Sequence, residues 1–177
     1  SYPCIPNYER LTEVARAVGA YLWVDIGQCV GLVAAGLIPS PVALADVVTF
    51  STSESLRGPD GAVILCKRDI AACMDAAIVN TGHVALHMNH LAALGVVLRE
   101  AASEKFRRYG EQVLKNAEVL ARALADHGAS VLCGGTDTHL VLASATGSVN
   151  MDEASSVINR MGIRVRVEDI PTMNPGL

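Results

Sequence analysis

The chain has 177 residues, of which 51% are hydrophobic and 18% charged, enough apolar material for one core and a small second domain. Its 14 basic and 18 acidic residues are dispersed and give a net charge of −4, which excludes the basic footprint of a nucleic-acid-binding protein. Charged and turn-forming residues interrupt every long apolar run, so we expect no membrane span.

The first half alternates helix and strand. Asn7 is a candidate N-cap for a helix that ends near Gly19, and residues 21–24 predict a buried strand that ends at Asp25. Two β-branched runs, residues 47–50 and 62–65, predict strands on either side of a polar loop. This alternation favours a mostly parallel sheet with helices.

The second half begins with a helical pattern from Asp69, interrupted by a loop near residues 80–82. A long amphipathic helix is predicted around residues 103–127, with Gly128 as its stop. Residues 130–133, 139–142 and 163–167 are predicted strands, and Asn150 with Glu153 predicts a capping box for a short helix between the last two.

The five cysteines are odd in number and widely spaced, mostly within apolar runs. We interpret them as buried thiols of a reducing compartment. The first residues also lack the basic-then-apolar pattern of a secretory signal, so we expect a cytoplasmic protein. The cysteines are Cys4, Cys29, Cys66, Cys73 and Cys133.

The polar loop after Phe50 is the stretch on which the functional interpretation depends. Residues 50–61 read F-S-T-S-E-S-L-R-G-P-D-G. They resemble the active-site loop of serine hydroxymethyltransferase, a fold-type I enzyme family that uses pyridoxal phosphate, where the pattern is T-T-T-H-K-[TS]-L-R-G-P-R-G. In that pattern the lysine binds the cofactor as a Schiff base. Here Ser53 stands in the histidine slot and Glu54 in the lysine slot.

Further ordered matches extend this resemblance over nearly the whole chain. Residues 1–6 resemble S-Y-P-x-x-P, residues 24–36 resemble V-D-x-A-H-x-x-G-L-[VI]-A-x-G, residues 109–117 resemble Y-x-x-Q-V-x-x-N-A, and residues 134–142 resemble G-G-T-D-N-H-L-x-L. The resemblance implies an α/β fold: part of a fold-type I pyridoxal-phosphate transferase large domain, with a mostly parallel sheet, and a small α+β C-terminal domain.

The same resemblance implies a division of the chain. We expect residues 1–102 to belong to the large domain, residues 103–127 to form a connecting helix, and residues 128–177 to form an incomplete small domain. The family's upstream phosphate-binding loop and its downstream carboxylate-binding arginine have no counterpart here, so we expect a partial copy of the fold.

Three residues match cofactor-contacting positions of the family. The resemblance implies that Asp25 pairs with the pyridine nitrogen, that Gln28 occupies a histidine slot near the ring oxygen, and that Ser53 lies beside the lysine slot. These contacts could be vestigial. From the residues alone, Asp25 could instead cap the next helix, and Gln28 could be an ordinary loop residue.

Glu54 is the decisive departure from the family pattern. An imine requires a nucleophilic amine, and a carboxylate has none, so we expect no covalent cofactor and no catalytic residue in this loop. A second carboxylate beside Asp25 also disfavours an anionic ligand. Lys67 lies beyond the following strand, and we do not expect it to substitute. Where the family has F-P-G-x-x-G-G-P, residues 80–86 differ as well.

These departures predict a degenerate family member, a pseudoenzyme that acts by association as a homo-oligomer or with a related chain. The alternative is one part of a split pyridoxal-phosphate enzyme whose lysine comes from a partner. The resemblance would then imply serine–glycine one-carbon transfer with tetrahydrofolate, or aldol cleavage of a β-hydroxy amino acid. A third hypothesis makes Asp25 and Glu54 a carboxylate pair for acid–base work or for holding a cation.

Histidines and arginines receive structural interpretations. His83, His87 and His90 have helical spacing that could bind zinc, but no nearby cysteine or carboxylate completes a site, so we expect no metal. His139 is interpreted as structural and Arg57 as a loop-holding residue. Residues 164 and 166, both arginine, are assigned to the solvent face of a strand.

Overall fold

The computed structural model describes residues 2–82, 87–144 and 150–167, which form a mixed α/β structure. The helices are α1 (Tyr8–Ala17), α2 (Val30–Ala34), α3 (Ala71–Asn80), α4 (Met88–Ala101), α5 (Glu104–Asp126) and α6 (Met151–Arg160). The strands are β1 (Trp23–Asp25), β2 (Val47–Ser51), β3 (Ala62–Cys66), β4 (Ser130–Val131) and β5 (Ala143–Ser144). In the part of the chain that is described, no helix has the length and apolar character needed to cross a membrane.

The first helix begins and ends where its sequence signals predict. The Asn7 side chain accepts a hydrogen bond from the Arg10 backbone N–H at 2.9 Å, which satisfies one of the free donors of the first turn. After α1, Gly19 adopts a φ of 68°, a conformation that glycine reaches without steric cost. The predicted capping of α1 is confirmed.

The central sheet has three strands in the order β1, β2, β3. Strands β1 and β2 are parallel, with Asp25 opposite Thr49, and β3 pairs with β2 in antiparallel register. The strands predicted on either side of the polar loop are confirmed. The prediction of a uniformly buried first strand is wrong: Val24 is buried, but Trp23 is 64% exposed, because successive side chains of an edge strand point to opposite faces.

The core lies between this sheet, α1, α2 and the first half of α5. Its most buried side chains include Val48 and Ile26 at 2% exposure, Leu56 at 3% and Phe106 at 4%. Helix α5 packs on α2 at Gly110, where an added Cβ would lie 2.6 Å from the Leu37 side chain. This close packing fixes α5 against the part of the chain that carries the polar loop.

Helix α5 agrees with its predicted limits. The Ser103 hydroxyl accepts a hydrogen bond from the Phe106 backbone N–H at 3.2 Å, and Gly128 adopts a φ of 87° just beyond the end of the helix. Helix α3 lies outside the core, whereas α4 contacts it near its C-terminal end, through its one buried residue, Ala101, and through Val97. Apolar side chains of α4, such as Leu91 and Val96, are about half exposed.

The C-terminal part has less sheet than the sequence predicts. The predicted strand at 130–133 shortens to β4, because Cys133 and Gly134 adopt positive φ angles of 61° and 68°. Residues 139–142 form no strand: the Leu140 backbone bonds instead to Thr136 and Thr138 side chains. Strand β5, which pairs with β4, lies later in the chain.

The prediction of a strand at residues 163–167 is also wrong. The Asn159 side chain donates to the Val165 carbonyl at 3.3 Å and accepts from the Val165 N–H at 3.2 Å. These backbone groups of Val165 therefore bond to a side chain and not to the backbone of a neighbouring strand. The helix predicted before this segment is confirmed as α6. Asn150 caps it by accepting from the N–H groups of Asp152 and Glu153.

Candidate functional site

Asp25 lies at the carboxyl end of β1, with its carboxylate exposed at the edge of the sheet. One carboxylate oxygen accepts a hydrogen bond from the Gly27 N–H at 3.0 Å, and the other accepts from the Thr49 hydroxyl at 2.6 Å. The Thr49 hydroxyl in turn accepts from Trp23 Nε1 at 3.0 Å. Asp25 does not cap α2, whose N-cap is Cys29, so this alternative is wrong.

Residues 51–61, hereafter the site loop, leave the carboxyl end of β2 next to Asp25. Thr52 closes this loop: its hydroxyl donates to the Pro59 carbonyl at 2.5 Å, its N–H donates to Gly61 and its carbonyl accepts from Gly58. A Cβ at Gly58 would lie 2.7 Å from the Thr52 carbonyl oxygen, so only glycine fits there. The loop therefore has a defined shape that its own backbone maintains.

Leu56 and Ser55 attach the site loop to the core. Leu56 is 3% exposed within the core cluster, and the Ser55 hydroxyl accepts from the Gly31 N–H of α2 at 2.9 Å. A Cβ at Gly31 would overlap the Ser55 carbonyl, which it would approach to 2.7 Å at the carbonyl carbon. A side chain at residue 31 is thus incompatible with the present position of the loop.

Arg57 holds the loop in a way that the sequence did not indicate. It adopts a φ of 61°, and its guanidinium lies 4.3 Å from the ring centroid of Tyr109 and 5.3 Å from that of Phe106. The expected hydrogen bonds from its side chain to carbonyls are replaced by this cation–π stacking. The one available signal was the three-residue spacing of the two rings, which places them on one face of α5.

The predicted site residues Glu54, Ser53 and Gln28 differ in solvent exposure and in hydrogen bonding. Glu54 is exposed at the tip of the loop, and its carbonyl accepts from the Arg57 N–H at 2.9 Å. Ser53 is half-buried, with its hydroxyl 3.1 Å from that of Ser51. Gln28 is half-buried in the turn between β1 and α2. The structure thus brings Asp25 and the site loop to one edge of the sheet.

His139 is a further member of this region. Its Nδ1 atom is buried without a hydrogen-bond partner among the described residues. Burial lowers the pKa of His139, and the negative charge of Glu54 opposes this shift by raising it. Glu54 and His139 are therefore electrostatically coupled, although they are far apart in sequence.

Among the described residues, no lysine or cysteine side chain is suited to take the place of the lysine that the family pattern predicts at the loop. The chain has three lysines, and Lys67 binds Asp46 at 2.5 Å beside the start of β2, at the opposite end of that strand from the site loop. Lys105 and Lys115 are exposed on α5. Burial raises the pKa of the Cys29 thiol, and the Asp25 charge raises it further, so this thiol is a poor nucleophile.

The metal hypotheses receive no support from the described residues. His83 lies outside them, while the rings of His87 and His90 are 5.4 Å apart, and His90 Nδ1 lies 3.2 Å from the Asp60 carbonyl oxygen. Residues 2–82, 87–144 and 150–167 contain no group of three or more histidine, cysteine, aspartate or glutamate side chains placed to bind a metal.

A family model described as serine hydroxymethyltransferase matches residues 1–175. The chain belongs to the serine hydroxymethyltransferase family. It is 41% identical over 182 aligned positions to the serine hydroxymethyltransferase of Acidobacterium capsulatum, with all of this chain and 42% of that protein covered. It is 38% identical over 172 positions to the serine hydroxymethyltransferase of Desulfotalea psychrophila, with 97% of this chain and 40% of that protein covered. The chain thus spans about two fifths of the length of these relatives.

The serine hydroxymethyltransferase family depends on pyridoxal phosphate, and the site fits that cofactor in one respect only. The exposed Asp25 carboxylate can accept a hydrogen bond from a protonated ring nitrogen. At the lysine slot, however, Glu54 provides no amine for an imine. Covalent attachment of the cofactor at this loop does not fit the residues present.

Proposed function

We propose that this chain is a catalytically degenerate member of the serine hydroxymethyltransferase family that acts through association with itself or with another chain. The observation that supports the proposal is Glu54, at the predicted lysine position of a loop that is closed by its own hydrogen bonds and packed on the core. Because a carboxylate cannot form an imine, the family's covalent route to the cofactor is closed at this position. We therefore assign no catalytic residue to the site loop and treat Asp25, Gln28 and Ser53 as vestigial cofactor contacts.

Exposed apolar side chains support the association. On β3, Ile64 and Leu65 are 41% and 38% exposed, and on α4, Leu91 and Val96 are 49% and 48% exposed. Exposed apolar side chains at a sheet edge and on a helix are typical of interaction surfaces. We propose that a second polypeptide covers it.

The proposed division of the chain follows the same reasoning. Residues 1–102 would form part of the large domain, α5 would connect the two parts over residues 103–127, and residues 128–177 would contribute to a small domain. The cytoplasmic location and a role in one-carbon metabolism remain predictions.

Sedimentation velocity of the purified chain tests the association. We expect the wild type to sediment as a dimer, or to co-sediment with a full-length family member, and Val96→Glu to abolish this behaviour. Val119→Glu, which places the same charge at a 64% exposed valine of α5, is the matched control and should leave association unchanged. A monomer both alone and with the full-length protein would contradict the proposal.

The second candidate function is one part of a split enzyme. It is favoured by the exposed Asp25 carboxylate at the carboxyl end of β1, which is available to a cofactor held by another chain. We would then expect serine–glycine interconversion only after addition of a complementary chain that supplies the lysine, with the reduced cofactor adduct on that chain. Asp25→Asn should remove the activity without preventing assembly. Assembly without activity would favour the first proposal.

A further inference from the structure

Two cysteines that are 129 residues apart in sequence meet on the surface of the molecule. Cys4, in the segment that precedes α1, is disulfide-bonded to Cys133, in the turn that follows β4. The expectation that all five cysteines are buried thiols is therefore wrong. Cys29 and Cys66 are free and half-buried, Cys73 is free and exposed, and Cys133 is itself exposed.

Hydrogen bonds hold the two segments together independently of the sulfur atoms. The Asp137 N–H donates to the Pro3 carbonyl at 3.0 Å, and the Ile5 N–H donates to the Asp137 carboxylate at 3.0 Å. The Thr136 hydroxyl oxygen lies 3.3 Å from the Pro3 carbonyl oxygen, and the Pro3 side chain is fully buried. The two segments are thus held together by contacts that do not involve the sulfur atoms.

The turn that Cys4 holds continues directly into the segment that carries His139. Thr138 is 4% exposed and its hydroxyl accepts from the Leu140 N–H at 3.2 Å, so the chain between the turn and His139 is firmly packed. The His139 Nδ1 atom is buried, on the same segment. A change in the docking of residues 133–138 would therefore affect the segment that carries His139.

We propose that Cys4 and Cys133 form a redox-sensitive clasp, which locks the segment before α1 onto residues 133–138 and thereby restrains the adjoining segment that carries His139. The exposed Cys133 is open to a small oxidant, and in a reducing compartment the pair would be reduced until the thiol–disulfide balance shifts. The clasp does not depend on what the site loop binds.

The chemistry requires only a low-molecular-weight disulfide such as oxidised glutathione. The thiolate of one cysteine attacks this disulfide, forms a mixed disulfide and releases one glutathione thiolate. The second cysteine thiolate then attacks the protein sulfur of the mixed disulfide and releases the second glutathione. The two cysteines lose two electrons and two protons, and the two glutathione molecules gain them.

The test equilibrates the full chain in glutathione buffers of stepped redox ratio, followed by acid quenching, alkylation and peptide mapping. We expect oxidation to reduce the alkylated cysteines from five to three, with Cys4 and Cys133 in one linked peptide pair. Cys73→Ser is the matched control and should form the same link, whereas Cys133→Ser should not. Links distributed over Cys29, Cys66 and Cys73, or no link, would overturn the proposal.

Two further measurements compare the oxidised and reduced wild-type protein, so they do not depend on whether a cysteine variant folds. They distinguish a disulfide that restrains the neighbouring segment from one that has no structural effect. Oxidation should raise the midpoint of thermal unfolding by about 10 °C, because the disulfide joins residues 129 apart in sequence and so restricts the unfolded chain. It should also slow amide hydrogen exchange across residues 136–142. A link that forms without slowing exchange in that segment would contradict the inferred hold on His139.

Discussion

Two regions of the molecule differ sharply in how well they are packed. The packed region comprises α1, β1, α2, β2, the site loop and the first half of α5, and its central side chains are 2–4% exposed. The outer helices are α3, α4 and α6, and among their residues only Ala101 is buried. The site loop belongs to the first region, so core contacts maintain its shape and the exposed residue 54 does not.

The contrast shows that the shape of the loop and its chemistry depend on different residues. Thr52, Ser55, Leu56 and Gly58 determine the shape through backbone hydrogen bonds and burial, and none of them would react with a cofactor carbonyl group. Residue 54 is exposed, so its replacement alters little of the packing. We therefore expect the loop to keep its fold whichever residue stands at position 54.

The largest expected effect comes from truncating the core contact of the site loop. Leu56→Ala should lower the free energy of unfolding by about 2–5 kcal/mol, because a fully buried leucine leaves a cavity. Leu91→Ala, at a 49% exposed leucine of α4, should change it by less than about 0.5 kcal/mol. Urea denaturation of both variants measures the difference, and equal losses would show that α4 is as well packed as the loop.

Two glycine-to-alanine substitutions should change the free energy of unfolding in opposite directions. Gly31→Ala should destabilise by about 1–3 kcal/mol, because its Cβ overlaps the backbone of Ser55 and displaces the site loop. Gly95→Ala, in α4 with no atom within 4 Å of the added Cβ, should stabilise by about 0.5–1 kcal/mol through helix propensity. The shift of each variant's denaturation midpoint, at an unchanged m-value, shows whether the substitution stabilises or destabilises the protein. A stabilising Gly31→Ala would contradict the close approach of α2 and the loop.

The stacking of Arg57 on Tyr109 should give a coupling energy of about 0.5–1 kcal/mol, typical of an exposed cation–π pair. A double-mutant cycle with Arg57→Ala and Tyr109→Ala measures it. Arg108→Ala, at the neighbouring exposed arginine of α5, provides the control cycle with Tyr109→Ala and should show no coupling. Additive effects of Arg57→Ala and Tyr109→Ala would mean that the stacking does not hold the loop.

The smallest effect concerns pH. Because burial lowers the pKa of His139, its neutral form is favoured in the folded state, and the unfolded chain binds the extra proton first as pH falls. Stability should therefore be full above the ordinary histidine pKa of about 6.5 and decline as pH falls below it. The difference between wild type and His139→Gln, measured by denaturation from pH 5 to 8, isolates this contribution.

A substitution of Glu54 tests the cause of this pH dependence. Its charge raises the pKa of His139, so Glu54→Gln should lower that pKa further and extend the decline to lower pH. Asp60→Asn, another acidic position of the site loop, serves as the control. An NMR titration of His139 in which Glu54→Gln leaves the pKa unchanged would contradict the coupling.

Much of the fold followed from local signals in the sequence. Asn7, Ser103 and Asn150 each accept a hydrogen bond from a backbone N–H at the start of a helix, so the helix limits were encoded within a few residues. The strands on either side of the site loop followed from their β-branched runs.

The errors and omissions came from contacts between distant residues. The Cys4–Cys133 bond, the stacking of Arg57 on α5 and the coupling of His139 to Glu54 depend on how the chain folds back on itself. Periodicity also overestimated strand content at residues 163–167, where the Asn159 side chain bonds to the backbone of Val165. Sequence patterns report one chain segment at a time, so they cannot show which side chain satisfies a distant backbone.

The most direct test of the central claim is reduction of the chain with borohydride in the presence of pyridoxal phosphate, beside the Glu54→Lys variant. Intact mass and peptide mapping identify any lysine that carries the cofactor. We predict no site-specific adduct on the wild type and a single adduct at residue 54 of Glu54→Lys, because the loop retains its shape and lacks only the amine. A specific adduct on the wild type would contradict the lost chemistry, and no adduct on Glu54→Lys would contradict the retained shape.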